Sequence, residues 1–439
     1  MATISLTVLG PPIATASMAQ TTPAAPPPPA DLPPPGYWID GIHLSAQFEA
    51  GIIANPSDPK LNNGQSFTDH PNQVQLNQIL LGAEKKLDPK ATGYDWAFRL
   101  SALYGSDARY THFLGLLDQA LPKDQRDQID VVEASATLHL PVTAFEGGLD
   151  IKAGLYPTPL GSEVIDPAGN AFYSHSYIFN YALPYKHTGV LAIAHATALL
   201  DLYLGLDTGS NTTFGPNGDD NGSVAGIVGF GLNMMDGDLT VLALSHIGPE
   251  NPARALDMLV PPADANSYMR YYNDIVMTWK ANDKLTLTTE ASWVRDDFGT
   301  SGFTGKPAAA NGFGLAQYAG YALTGTITLN ARIELFRDDS GFFVGAFPGN
   351  YDPVYVQKGL PNTAYFAPPA TYGAITLGAT FKPDVPAPIT GLAIRPEIRY
   401  DQSLSGNDVF NGSINQTTHV VIFKDRGALT IGTDAILTF

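Results

Sequence analysis

The sequence predicts an all-β fold, a transmembrane antiparallel barrel of about 16 strands with short periplasmic turns and long external loops. Three observations predict it. From Trp38 onward, apolar and polar residues alternate with a period of two. Many alternating runs reach about 10 to 13 residues, whereas globular strands average about 5 to 6 and a bilayer-crossing strand needs roughly 9 to 11. The final run alternates Leu429, Ile431, Thr433, Ala435, Leu437 and Phe439 with Thr430, Gly432, Asp434, Ile436 and Thr438. A soluble terminus is expected to fray into water, whereas the last strand of a barrel seals against the first with an aromatic at the interface.

Composition agrees with this class. Only 15% of the residues are charged, while Gly (43), Tyr (20) and Phe (21) are plentiful. No segment spans a bilayer as a helix: Val190 to Leu200 contains His195, is followed by Asp201, and falls short of the roughly 20 apolar residues required. The absence of cysteine removes disulfides, thiolate catalysis and Cys-based zinc sites. A net charge of −18 argues against nucleic acid, which needs a basic stripe. That charge serves either the solubility of large polar loops or an acidic lumen that favours cations.

The N-terminus is compatible with export. Residues 4 to 16 are mildly apolar, and Ser17-Met18-Ala19 before Gln20 reads as a small-x-small cleavage site. No Lys or Arg precedes it, and Pro11-Pro12 interrupts the apolar stretch. Residues 1–19 are therefore expected to form a signal-peptide-like segment. Residues 20–36, with Pro26 to Pro29 and Pro33 to Pro35, are expected to form an extended periplasmic tether. Residues 37–439 are expected to form the barrel.

The strand-like runs fall at 37–52, 73–84, 94–104, 129–140, 149–157, 187–195, 198–206, 224–234, 238–247, 267–280, 284–296, 315–328, 331–338, 370–381, 391–402 and 428–439. The stretches around 73–84 and 417–425 leave the count open. Aromatics near run ends (Tyr37, Trp38, Tyr104, Trp279, Trp293, Tyr400) suit interfacial girdles. Tight turns are expected at Met235-Asp236-Gly237-Asp238, at Ala281-Asn282-Asp283 and around Asn330. Long Gly-, Pro-, Asn- and Asp-rich connections fall at 53–72, 105–128, 207–223, 248–266, 297–314, 339–369 and 403–416. A secreted soluble sandwich would instead need shorter strands and a repeated unit.

Particular residues carry a resemblance. Asp95-Trp96-Ala97-Phe98-Arg99 leads into Leu103-Tyr104-Gly105-Ser106-Asp107-Ala108. Lys152-Ala153-Gly154-Leu155-Tyr156-Pro157-Thr158-Pro159-Leu160-Gly161-Ser162-Glu163 is followed by Ser174-His175-Ser176-Tyr177, by Pro184, and by His187-Thr188-Gly189-Val190. Phe336-Arg337-Asp338-Asp339-Ser340-Gly341 and Phe439 complete the order. Together these resemble the OmpL-like β-barrel porins (the beta-barrel porin-2 family) over nearly all of residues 37 to 439. The resemblance implies an outer-membrane barrel of a Gram-negative bacterium with no catalytic residues.

The stretch from Tyr156 to Lys186 is aromatic for a loop, holding Phe172, Tyr173, Tyr177, Phe179 and Tyr181, so it needs a surface to pack on. It is expected either to fold into the barrel and narrow the lumen or to cap the outer rim. Pro157, Pro159 and Gly161 would turn it inward, and Glu163, Tyr173 and Tyr177 are the other constriction candidates. By parity, Glu49, Arg99, Glu133, Lys152, Arg270, Asp274, Lys280, Glu290, Arg332, Glu334, Arg395, Glu397 and Arg399 point into the lumen. These charges either pair across strands and stiffen the wall or set a transverse field that governs ion preference. Arg395-x-Glu397-x-Arg399 is the clearest row.

Other chemistry is not expected. Asn217, Asp219, Asp220 and Asn221 lack the spacing of a calcium loop. The histidines (His43, His70, His112, His139, His175, His187, His195, His246, His419) form no H-E-x-x-H or H-x-H pair, so neither a metal site nor a cofactor is expected. There is no G-x-S-x-G elbow, and Thr304-Gly305-Lys306-Pro307 does not make a phosphate loop. The expectation is a porin passing small hydrophilic solutes or ions by diffusion. A plugged barrel that binds a partner by its loops, and an interfacial hydrolase, are the alternatives. Expected partners are outer-membrane lipid and lipopolysaccharide, small polar solutes, the barrel-assembly machinery acting on Phe439, and two further copies in a homotrimer.

Overall fold

The computed structural model describes residues 41–88, 92–112, 116–117, 126–214, 221–250, 266–300, 307–344, 368–414 and 421–439. The signal-like segment, the proline-rich tether, Tyr37, Trp38 and most of the candidate calcium segment lie outside them.

The wall is built from β1 (His43–Ala54), β2 (Val74–Lys85), β3 (Asp95–Gly105), β4 (Gln128–Leu140), β5 (Leu149–Pro157), β6 (Lys186–His195), β7 (Leu200–Asp207) and β8 (Ala225–Met234). It continues with β9 (Leu239–Pro249), β10 (Met269–Lys280), β11 (Leu285–Thr300), β12 (Pro307–Ala322), β13 (Ile327–Asp338), β14 (Ala370–Phe381), β15 (Gly391–Ile394) and β16 (Glu397–Ser403). A small hairpin, β17 (Ser413–Ile414) with β18 (Val421–Ile422), stands apart from the wall, and β19 (Gly427–Thr438) is the final stave. Both β15 and β16 run between β14 and β19, so they are two halves of one stave. Pro396 separates them, because it has no N–H to give to the ladder. The described residues thus make sixteen staves. Antiparallel pairing of β1 with β19, Phe48 opposite Leu437, closes the ring. Closure pairs the backbone strand to strand and leaves no open edge, the only way a sheet can stand in hydrocarbon.

Parity sorts the two faces. On β13, Ile333 and Leu335 are 56% and 46% exposed, whereas Arg332 and Glu334 are 0% and 2% exposed. Outward positions elsewhere read the same way: Leu44, Phe48, Leu204, Leu206, Ile375 and Leu377 are all exposed. An apolar outer band and a charged inner face are the reverse of a soluble protein and the signature of a membrane barrel.

Two bulges re-aim inner side chains. Between β1 and β2 the register shifts after Glu49, so Asn77 and Gln78 are both buried. Between β3 and β4 it shifts after Ser101, so Val132 and Glu133 are both buried. An extra residue in one strand does this by breaking the alternation locally.

The turns at Met235–Gly237 and Ala281–Asp283 lie where the sequence puts them. Asp236 and Gly237 adopt φ of 55° and 94°, conformations that Asp tolerates and Gly favours. The turn expected at Asn330 is corrected. The chain turns instead at residues 323–326, and Asn330 lies inside β13, opposite Gly320 and Gly378. Thr324 makes the real turn, its Oγ1 accepting the N–H groups of Thr326 and Ile327 at 3.2 and 3.0 Å. Asn330 points inward and donates to Thr380 Oγ1 at 2.9 Å.

Candidate functional site

The connection between β5 and β6 (residues 158–185) is the centre of the molecule. Its root is closed by the Thr158 N–H donating to the Tyr185 carbonyl at 2.9 Å. A 3-10 turn, Pro167–Gly169, is capped by the Asp166 side chain. A short helix α1 (Ala108–Thr111) belongs to the connection between β3 and β4, and α2 (Tyr177–Tyr181) to this one. Ser176 caps α2, its Oγ accepting the Phe179 N–H at 3.0 Å. Phe172, Tyr173, Tyr177, Ile178 and Phe179 are all buried.

What they are buried against is the inner wall. The Gly161 N–H donates to Asp274 on β10 at 3.0 Å, and the Ser162 hydroxyl to Glu290 on β11 at 2.6 Å. Arg332 on β13 donates to Glu163 at 2.7 Å. The Tyr173 N–H donates to Glu397 at 2.9 Å, and the Tyr173 hydroxyl to Asn77 on β2 at 2.9 Å. The Tyr177 N–H donates to Glu334 and its hydroxyl to Asp401, both at 2.8 Å. The loop therefore crosses the lumen instead of capping the rim. Pro157 ends β5, and Pro159 and Gly161 follow where the chain turns in. Gly161 has φ +90°, and a Cβ there would lie 2.2 Å from Leu183 Cδ1. The positive φ is what favours glycine here.

Six of the inward-facing cations fall into four ion-pair groups. Arg332, Glu163, Glu334, Arg399 and Asp401 form one network, with Arg332 to Glu334 at 2.9 Å and Arg399 to Glu334 at 3.3 Å. Arg399 also donates to the His175 carbonyl at 2.7 Å. Arg395 pairs with Glu49 at 3.1 Å and with Asp434, and donates to the carbonyls of Pro167 and Asn170 at 2.7 Å each. Lys152 and Arg99 share Glu133, at 2.7 and 3.5 Å, and Arg99 also reaches Glu84. Arg270 pairs with Asp296. Arg332, Arg395 and Arg399 are no more than 2% exposed. The row 395–397–399 is thus joined to the loop and the wall, while the Arg99 side chain stays 43% exposed.

Burial raises the Glu163 carboxyl, but the Arg332 guanidinium, the His175 ring and the Ser176 N–H outweigh it and hold the group down at about 2. A depressed carboxyl stabilises the fold above its unfolded value of about 4.3, and that contribution is lost as pH falls towards 2. Protease protection of the loop is therefore expected to hold from pH 7 to about 4.5 and to weaken below it. Glu163→Gln should abolish this acid dependence, and an unchanged profile in that variant would refute the assignment.

The wall is notched to receive the loop. A Cβ on Gly51 would lie 2.4 Å from Tyr173 Cζ, and one on Gly314 would lie 2.4 Å from Ile178 Cγ1. The Tyr173 ring cannot easily retreat, since the residue is held at its N–H and its hydroxyl. Gly51→Val should cost about 1–3 kcal/mol by overpacking. Adding Tyr173→Ala should recover most of that in urea titrations, and a simple sum of the two single effects would count against the contact.

Sequence reasoning missed a second inward element. The composition of the connection after β1 predicts a long outer loop, yet Asn62, Gln65, Phe67 and Asp69 are buried. Arg109 in α1 grips Asp69 with two 3.0 Å bonds. Phe67 packs on Tyr110, His175, Phe179 and Tyr185. The available signal was a lone Phe within a polar stretch.

The family described as beta-barrel porin-2, OmpL-like, matches residues 41–439. No curated protein matches the chain. Among solved structures, the anion-selective porin from Comamonas acidovorans is similar at TM-score 0.53 and 8% identity, covering 91% of this chain and 99% of that one. The outer membrane channel DcaP of Acinetobacter baumannii is similar at TM-score 0.51 and 9% identity, covering 91% and 97%. Salmonella typhi OmpF, solved with daunomycin, is similar at TM-score 0.50 and 10% identity, with the same coverage. At such identities the likeness is one of fold. The family match spans the whole wall and its inner loop, and on that ground the chain belongs to the OmpL-like β-barrel porins, passive-diffusion channels of the Gram-negative outer membrane.

Proposed function

We propose that small hydrophilic solutes or ions diffuse through a lumen whose width is set by the loop at 158–185. The observation that carries this is the fully buried ion network, Arg332 and Arg399 with Glu163 and Glu334, which joins that loop to the far wall. Buried pairs of this kind favour one arrangement over many, since breaking one leaves an uncompensated charge. In this reading Arg332, Arg395, Arg399, Glu334 and Glu397 are loop anchors. Arg99, with Glu133 and Lys152 beside it, is the better candidate for contact with passing ions, because its side chain is half exposed. Arg270 braces β10 against β11. The protein acts as a channel and not as an enzyme.

The test is a planar bilayer under a salt gradient. Stepwise conductance is expected, and Arg99→Gln should move the reversal potential towards cation preference. Protein that inserts yet never conducts would overturn the channel and favour the second reading, a plugged barrel. The packing of Phe67, Phe343, Val344, Val409 and Phe410 from other loops as buried residues supports that alternative. As further proposals, residues 1–19 direct export, residues 20–36 tether the barrel, lipid and lipopolysaccharide wet its outer face, and three copies associate. The assembly machinery would recognise Phe439, whose ring packs edge-on against Phe48.

A further inference from the structure

Three inner-face residues on different staves meet near the loop rim. They are His187 at the start of β6, Asp207 at the end of β7 and His246 on β9. All three side chains have 0% exposure. Their candidate ligand atoms lie within 4.8 Å of one another. His246 Nε2 is 3.0 Å from Asp207 Oδ1, and His187 Nδ1 is 3.1 Å from Asp207 Oδ2.

The plain reading is a carboxylate bridging two imidazoles by hydrogen bonds. The first contact has hydrogen-bond geometry, whereas in the second His187 Nδ1 and Asp207 Oδ2 interact at 3.1 Å without making a well-directed hydrogen bond. Donors around an ion with bonds of roughly 2.0–2.2 Å sit about 3 Å apart without pointing at each other. The remaining atoms suit outer support for such ligands. His187 Nε2 is 3.0 Å from Thr158 Oγ1, at the root of the inner loop. His246 Nδ1 faces Glu250 Oε1 at 3.8 Å, an electrostatic contact beyond hydrogen-bond reach, and Glu250 is fixed through its other oxygen by the Ser210 N–H at 2.9 Å. The His187–Thr158 contact is of the kind by which a ligating imidazole orients itself through its second nitrogen.

We propose that His187 Nδ1, Asp207 and His246 Nε2 bind one divalent first-row transition-metal ion, with zinc as the probe. Two imidazoles and one carboxylate are a ligand set for such ions and leave further positions open. Bound there, the ion ties β6, β7 and β9 together beside Thr158, and so fastens the root of the constriction loop. Nothing in the spacing along the chain announces it, because the three ligands come from three staves.

The test uses the full chain without a histidine tag, refolded from urea into detergent with zinc and then desalted. Wild type is expected to retain about one zinc per chain, and His187→Gln/His246→Gln at least about tenfold less, with His195→Gln as the control that keeps its metal. Zinc should also raise the melting temperature of wild type and leave that of the double variant unmoved. Heat-modifiable migration on gels confirms that each variant folds. Wild type retaining under about a tenth of an equivalent, or a folded double variant retaining as much as wild type, would overturn the site.

Discussion

Arg332→Met is expected to release the inner loop and raise single-channel conductance while leaving the barrel folded. Arg332 touches Glu163 and the Ser174 carbonyl on the loop, and Glu334 on its own strand. Methionine fills much of the volume but leaves Glu163 and Glu334 without this guanidinium. Removing one partner of a buried pair costs about 3–5 kcal/mol. The wall has its own ladder on both sides of β13, so the loss falls on loop docking. Arg332→Met/Glu163→Gln should recover part of the difference, because the stranded carboxylate is gone. Conductance and open-channel noise equal to wild type in the single variant would show that the network does not hold the loop.

One residue along, Ile333→Arg should do the opposite. Ile333 sits at the middle of β13 on the outer face, paired with Ile375 and Gln317. An arginine at the midplane of the hydrocarbon costs about 2–4 kcal/mol. Urea titration in lipid should show that loss, with the conductance of the folded fraction unchanged. Equal stability would mean that this face is not in hydrocarbon, and the reading of the whole wall would fail with it.

That neighbouring positions should behave so differently shows what a period of two conveys. It specified which residues look in, and the long runs put the number of staves near the sixteen found. The one misplaced turn arose because Asn330 has turn chemistry, and nothing local says that its amide instead bonds Thr380 on the next strand. Long-range partners were the illegible part. Parity placed Arg395 and Arg399 inside, but whether they face water or protein depends on a loop distant in sequence. The aromatic content of 158–185 did announce a packed loop. The inward turn of residues 62–69 carried only the single Phe67 as a mark, since Asn, Gln and Asp look the same in solvent as when bonded to Asp401 or Arg109.

The missing side chains at Gly51 and Gly314 make the inner loop keyed to its own frame. A chimera that receives residues 158–185 in a different porin, with bulkier residues at those two places, would meet a shut lock. Transplanting the segment together with both notches is the smallest graft that should carry the loop across, and evolution faces the same paired requirement.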